Sequence, residues 1–88
     1  MFDKLKMIQQ AKQMQKQMES MVFDLEENGI KIKINGKLDI LSFEIVNDEL
    51  LSDKEKLESM CRQAVNSAIQ KAQREAAIQM QNQIGGLF

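Results

Sequence analysis

"ENGIKIKING", residues 27–36, is the stretch that decides the fold, because two Asn-Gly pairs enclose a run in which isoleucine and lysine alternate. Strict alternation of apolar and charged residues is typical of a strand with one buried face and one wet face. An Asn-Gly pair between two such runs indicates a hairpin, since a type I′ turn needs positive φ at both central residues. The stretch therefore predicts a β-meander inside a chain whose other segments have a helical pattern.

The first Asn-Gly pair gives a consistent register. A two-residue turn at 28–29 places Leu25 opposite Ile32, and it places Phe23 opposite Ile34. Apolar residues then face apolar residues on one side of the sheet, and such cross-strand pairs stabilise antiparallel strands. We therefore expect a tight hairpin here.

The second pair, at 35–36, leaves the register open. A two-residue loop places a lysine opposite Ile34, whereas a three-residue loop places Leu38 there. The three-residue loop puts the second half of the following strand out of phase, so we expect a β-bulge near residues 40–41 to restore it. The sequence thus predicts a three-stranded antiparallel meander, roughly over 22–27, 30–34 and 37–46.

A helical pattern precedes these strands. Apolar residues recur at alternating steps of four and three, which is the spacing of a heptad seam, namely Met7, Ala11, Met14, Met18, Met21 and Leu25. We expect a helix from about residue 3 to about residue 20. Its Lys12 and Lys16 fall opposite the seam, where they form either a solvated surface or a contact for nucleic acid or another acidic surface.

A second helix is expected to begin near Ser52, which has the capping-box spacing to Glu55. Its apolar face is rich in small residues that permit close packing, namely Leu57, Cys61, Ala64, Val65, Ala68, Ala72 and Ala76. Gly85-Gly86 is expected to end it. A helix of about 30 residues is about 45 Å long, so it must project beyond a small sheet. We expect the first helix to pack on the second.

The third predicted strand is longer than its neighbour. Residues 43–46 would extend past the second strand and leave backbone groups without partners. A second copy of the chain can supply those partners. We therefore expect a homodimer whose interface contains Leu38, Ile40, Phe43 and Ile45.

The composition favours one soluble domain over residues 1–88, with 43% apolar and 28% charged residues. The chain has no histidine, so the usual general base at neutral pH is missing, and Cys61 is expected to be a packed small apolar residue. We expect no enzyme activity, metal, cofactor or small-molecule substrate. We also expect no signal peptide and no contact with a membrane, and a single cysteine suits the reducing cytoplasm.

Charge is distributed unevenly along the chain. Residues 1–18 hold four lysines against one aspartate, whereas residues 19–60 hold eleven acids against five lysines. Residues 61–88 hold three basic residues against one glutamate. Basic helical ends can therefore make an electrostatic contact although the formal net charge is −1.

Three stretches, in this order, resemble the bacterial YbaB/EbfC nucleoid-associated proteins over nearly the whole chain. They are "MFDKLKMIQQAKQMQKQM" at 1–18, "IKIKING" at 30–36 and "FEIVNDELLSDKEKLESMCRQAVNSAIQKAQ" at 43–73. The resemblance implies an α+β fold in the order α-β-β-β-α that forms a tweezer-like homodimer, with helical arms spaced for duplex DNA. It also implies a cytoplasmic protein of the nucleoid.

Carried over to this sequence, the resemblance implies that basic residues of both helices contact DNA phosphates, namely Lys4, Lys6, Lys12, Lys16, Arg62, Lys71 and Arg74. Binding would release counterions and involve little base readout. The alternative is a prefoldin-like chaperone or protein-interaction scaffold without DNA binding. In that case the helical tips would hold clients through Met1, Phe2, Leu87 and Phe88.

Overall fold

The computed structural model describes residues 2–85, and it describes side chains over residues 3–82. The elements in chain order are α1 (Phe2–Ser20), β1 (Val22–Glu27), β2 (Ile30–Asn35), β3 (Ile40–Ile45), a short 3-10 helix η1 (Asp48–Ser52) and α2 (Lys54–Gly85). The strands form one antiparallel sheet in the order β1-β2-β3. The predicted α-β-β-β-α architecture is confirmed.

The first hairpin has the predicted turn and register. Asn28 and Gly29 both have positive φ, 54° and 82°, as a type I′ turn requires. Leu25 pairs with Ile32, and the next pair on the same face joins Phe23 to Ile34. The alternating pattern in "IKIKI" therefore gives a sheet with one apolar face, as expected.

The second loop differs from both predicted forms. Asn35 still belongs to β2 and its backbone N–H donates to the carbonyl of Asp39 at 3.1 Å, so the loop is residues 36–38. The side-chain oxygen of Asn35 accepts hydrogen bonds from the backbone N–H groups of Lys37 and Asp39, each at 3.0 Å. Leu38 has φ of 69° and so takes the left-handed conformation, which the Asn-Gly pattern predicted for Gly36.

The bulge near residues 40–41 is confirmed. Ile34 pairs with Ile40, whereas the preceding residue of β2 pairs with Ser42, so Leu41 is the extra residue. This bulge shifts the register of residues 42–45 by one residue.

The predicted overhang of residues 43–46 is wrong. Because β3 begins only at Ile40 and the bulge adds one more residue, Phe43 pairs with Ile32 and Ile45 pairs with Ile30, so β2 and β3 end together. The outer edge of β3 has no neighbouring strand within residues 2–85. The unpaired backbone groups thus lie along the edge of the strand instead of beyond its end.

The core lies between α2 and the inner face of β1 and β2. Four alanines spaced by four residues form a buried stripe on α2, namely Ala64, Ala68, Ala72 and Ala76. They pack over Ile30, Ile32 and Ile34, whose exposed fraction is 0%. Burying each isoleucine contributes about 1.5–3 kcal/mol. The small alanines let the helix approach the sheet closely, as the sequence predicted.

The apolar face of the sheet is wider than the helix that covers it. α2 packs on β2 and β1 and leaves most of β3 open. Ile40 and Phe43 lie on the same face as the buried isoleucines, yet their exposed fractions are 45% and 44%. The part of the inner face formed by Ile40 and Phe43 is therefore apolar and uncovered in the single chain.

The expected packing of α1 on α2 is wrong. The main contact of α1 is with β2, at the C-terminal end of the helix, and residues 3–16 are exposed. The molecule measures 59 × 25 × 15 Å, with a radius of gyration of 17.3 Å. A compact domain of this length would have a radius of about 12 Å. The apolar stripe of α2 is already occupied by the sheet, so α1 projects.

The start of α2 also differs from its predicted cap. The Asp53 carboxylate accepts a hydrogen bond from the backbone N–H of Lys56 at 3.1 Å, so Asp53 is the N-cap. Ser52 instead ends η1, and its hydroxyl donates to the carbonyl of Glu49 at 2.8 Å. The inserted 3-10 turn shifts the helix start by one residue. Neither described helix contains a stretch long and apolar enough to cross a lipid bilayer.

Candidate nucleic-acid interface

The projecting part of α1 carries four exposed lysines and one acidic residue, Asp3. We call residues 3–16 of this helix the arm, and its lysines are all exposed, namely Lys4, Lys6, Lys12 and Lys16. Within residues 3–82 the one salt bridge joins Lys37 to Glu19, so no arm lysine is paired with an acid. Their ammonium groups are thus open to an external anion.

The arm lysines do not lie in one straight row. Lys12 and Lys16 are one turn apart and share a face, because residues four apart stack on an α-helix. At about 100° per residue, Lys4 and Lys6 each deviate by about 80° from this pair, to opposite sides. The four lysines therefore spread over about 200° of the helix circumference.

The basic residues of α2 lie in acidic surroundings. Arg62 lines a shallow groove with Glu55 and Glu58. Arg74 lines another groove with Glu26 and Glu27, where one carboxylate oxygen of Glu27 is buried without a hydrogen-bond partner. Such carboxylates repel a phosphate. The electrostatic potential around these arginines is therefore less favourable for binding a phosphate than the potential around the arm.

Lys71 has a structural partner that the sequence did not reveal. Its Nζ donates to the backbone carbonyl of Asp24 at 2.6 Å and so ties α2 to β1. The two residues are 47 positions apart in the sequence. No local pattern signals such a contact, which depends on how the helix crosses the sheet.

The predicted dimer residues lie beside the uncovered part of the sheet. We call Leu38, Ile40 and Phe43 the β3 patch; all three are exposed, whereas Ile45 is half-buried against the core. Next to Leu38 is an apolar groove of about 270 Å³ between the loop, the end of α1 and the last turns of α2, lined by Met18, Gly36, Leu38, Gln73, Ala76, Ala77 and Met80. The sequence did not predict this groove, because it forms only where three elements meet.

Two other sequence-based predictions concern metal binding and the helical tips. Among residues 2–85, no three acidic or cysteine side chains come together as metal ligands. The helical tips proposed for client binding cannot be assigned contacts, since Met1, Leu87 and Phe88 and the side chain of Phe2 lie outside the described residues.

Comparison with known proteins identifies relatives over almost the whole chain. Residues 1–87 match the family model described as the YbaB/EbfC DNA-binding family. A nucleoid-associated protein of Francisella tularensis subsp. mediasiatica (strain FSC147) is 37% identical over 81 residues, which cover 82% of this chain and 72% of that protein. A nucleoid-associated protein of Chlorobium luteolum is 35% identical over 92 residues, covering 98% of this chain and 84% of that protein. No solved structure matches.

Proposed function

The chain belongs to the YbaB/EbfC DNA-binding family, and on this premise we propose that it binds duplex DNA as a homodimer in the nucleoid of the bacterial cytoplasm, contributing to nucleoid organisation and gene expression. The single observation that carries the proposal is the arm. It projects from the fold and carries four exposed lysines without acidic partners within residues 3–82.

The arm lysines would act by neutralising phosphates. Duplex DNA carries about one negative charge per 1.7 Å of its axis, and each neutralised phosphate releases condensed counterions. A helix of 19 residues is about 28 Å long, so α1 can run beside many phosphates. Contacts from lysine to phosphates carry no sequence information, so we expect binding across many sequences.

A second copy of this chain is the proposed occupant of the β3 patch. An edge strand with exposed apolar residues is a ready site for pairing or packing with another chain. Joining two copies there would cover Leu38, Ile40 and Phe43 and the groove beside them. It would also place two arms on one particle, which increases the effective concentration of the second arm at the DNA.

Salt titration of duplex binding tests the DNA-binding proposal. We expect the logarithm of the binding constant to fall with the logarithm of salt concentration, with a slope of about −0.9 per phosphate contact. Lys12→Glu with Lys16→Glu should weaken binding and flatten this slope. The matched control is Lys31→Glu with Lys33→Glu, which makes the same charge change on the outer face of the sheet.

The control pair should leave binding much closer to that of the unchanged chain, after both variants are shown to be folded by circular dichroism. Absence of duplex binding by the unchanged chain at about 50 mM salt, where phosphate contacts are strong, would refute the proposal. Suppression of client aggregation that is insensitive to salt would instead support the chaperone alternative.

Sedimentation tests the proposed dimer. Phe43→Asp places a charge within the β3 patch and should convert the dimer into a monomer. Leu51→Asp is the control, because Leu51 is also apolar and exposed but lies on η1, away from β3. A monomeric unchanged chain at micromolar concentration, or a Phe43→Asp variant that remains dimeric, would contradict this interface.

A further inference from the structure

Among the described residues, the arm is attached to the rest of the molecule at one end only. Residues 3–16 are exposed, and the principal contact of α1 is with β2. The direction of the arm is therefore set where the last turn of α1 meets the end of β2. This junction contains Met18, Met21 and Gly36.

Gly36 is bound directly to the backbone of α1. Its N–H is 2.9 Å from the carbonyl oxygen of Met18 and 2.9 Å from that of Met21. A Cβ on Gly36 would lie 2.7 Å from the Met18 carbonyl oxygen and 3.3 Å from its Cα. These are backbone atoms that cannot rotate aside as a flexible side chain could, so any side chain at position 36 must displace α1.

The loop that presents Gly36 is itself held in place. Asn35 is 4% exposed, and its side-chain oxygen fixes the backbone of Lys37 and Asp39. On the outer side, Lys37 Nζ lies 2.9 Å from Glu19 Oε1 in the last turn of α1. The junction thus combines a backbone contact, a fixed loop and an ion pair.

From this geometry we infer that the β2–β3 loop sets the direction of the arm, and that Gly36 is a positioning residue for DNA binding although it touches no DNA itself. The DNA half of this inference rests on the proposed function. Position 4 is about 21 Å along the helix from position 18, so a rotation of about 20° at the junction moves Lys4 by about 7 Å. That is about twice the axial spacing of phosphates along one strand.

Distance measurement in the full chain tests the inference. Spin labels are attached at Gln10→Cys on the arm and Asn66→Cys on the outer side of α2, in a Cys61→Ser background, and labelled chains are diluted with unlabelled ones. Gly36→Ala should shift the distance distribution between the two labels. It should also flatten the salt dependence of duplex binding by about one unit of slope for each lysine that no longer reaches a phosphate.

Ser42→Ala is the control, because it is an exposed, uncharged substitution on the same sheet away from the junction; both measurements should match those of the labelled parent. Unchanged distances in Gly36→Ala would overturn the inference. Changed distances with unchanged DNA binding would overturn its DNA half. A parent chain that binds no DNA would refute the proposed function, while the distances would still decide whether Gly36 positions the arm.

Hydrogen exchange on the unsubstituted chain covers the case in which Gly36→Ala does not fold. The Gly36 amide should be strongly protected, because both of its acceptors belong to the end of α1 and the residue that follows it. Exchange of this amide at the rate of a free peptide would overturn the inference without any variant.

Discussion

The two glycines that follow asparagine serve different physical purposes. Gly29 has φ of 82°, and a Cβ there would lie 2.6 Å from the Cβ of Asn47. Its carbonyl also accepts hydrogen bonds from the N–H groups of Val46 and Asn47, at 2.8 and 3.3 Å. Gly36 is needed for close approach to Met18 and has no left-handed backbone.

Gly29→Ala is expected to lower the free energy of unfolding by about 1–3 kcal/mol, because alanine in the left-handed region is strained and its Cβ meets Asn47. Urea denaturation followed by circular dichroism measures the change. Asn28→Gly is the control at the neighbouring position with φ of 54°, where glycine suits the turn. A loss of stability in the control as large as that in Gly29→Ala would contradict this account.

At the residue scale, some backbone conformations can be predicted from the local sequence alone and others cannot. The turn at 28–29 was predicted correctly because its conformation depends on the two residues themselves. The loop at 36–38 was placed wrongly because Gly36 is constrained by Met18, which is distant in the sequence. The bulge at Leu41 was predictable, since only an extra residue returns the apolar residues of β3 to one face.

At the scale of elements, the alanine stripe determines how α2 sits on the sheet. Alanine has the smallest side chain with high helix propensity, so the stripe favours both the helix and a short distance to β2. Ala64, Ala68 and Ala72 have exposed fractions of 0% over the isoleucines of β2. Larger residues there would force the two layers apart.

Ala68→Leu is expected to destabilise the chain by about 1–3 kcal/mol through overpacking. Ala11→Leu makes the same substitution at an exposed position of α1 and should change stability by less than about 0.5 kcal/mol. Thermal or urea unfolding of both variants measures the difference. Equal effects would show that the stripe does not fix the distance between α2 and the sheet.

The ion pair at the base of α1 gives a pH prediction. The hydrogen bond from Lys37 to Glu19 and their charge attraction raise the pKa of Lys37 above its ordinary value. Desolvation acts in the opposite direction, and the charge of Asp39 adds a further increase. Because the pKa of Lys37 is higher in the folded state than in the unfolded state, the ion pair stabilises the fold fully at pH values below the unfolded-state pKa. The stabilisation is lost as the pH rises through the folded pKa.

The thermal midpoint of Glu19→Gln should therefore lie below that of the unchanged chain at neutral pH, and the two should converge at alkaline pH above the raised pKa of Lys37. The neutral-pH difference should be small, since exposed ion pairs contribute little. Glu44→Gln, at an exposed position of β3, controls for the general loss of a carboxylate. A difference between Glu19→Gln and the unchanged chain that persists unaltered at high pH would argue against the ion pair.

Element types were predictable from periodicity, but their partners were not. The seam from Met7 to Met18 correctly indicated a helix, yet a heptad spacing does not say which surface covers it. The sheet, and not α1, covers the apolar side of α2, because three buried isoleucines of β2 pack against it. Among the candidate site residues, the arm lysines were visible as a local charge excess, whereas the bond from Lys71 to Asp24 was not.

At the scale of the whole molecule, the chain consists of a packed core and one projecting helix. The sheet, η1 and α2 form the packed part, and α1 extends from it. The longest dimension of the molecule is 59 Å. The formal net charge of −1 conceals this division, because the acids are concentrated in residues 19–60. Net charge alone would therefore mislead any estimate of DNA affinity.

Small-angle scattering of the Phe43→Asp variant, as a monomer, should give a radius of gyration near the 17.3 Å of this structure, well above the roughly 12 Å of a compact domain. The arm should remain extended because the sheet already covers the alanine stripe of α2. A radius close to the compact value would mean that α1 folds back on α2 when the partner is removed. Circular dichroism confirms that the variant keeps its helices.

Attachment of α1 at one end also has an evolutionary consequence. Residues 3–16 are exposed along their length, so substitutions there change the free energy of unfolding of the core very little. Lysines can be gained, lost or moved along the arm while the sheet and α2 stay intact. The surface that would meet DNA is free to diverge between lineages at a rate of its own, separate from the selection that preserves the fold.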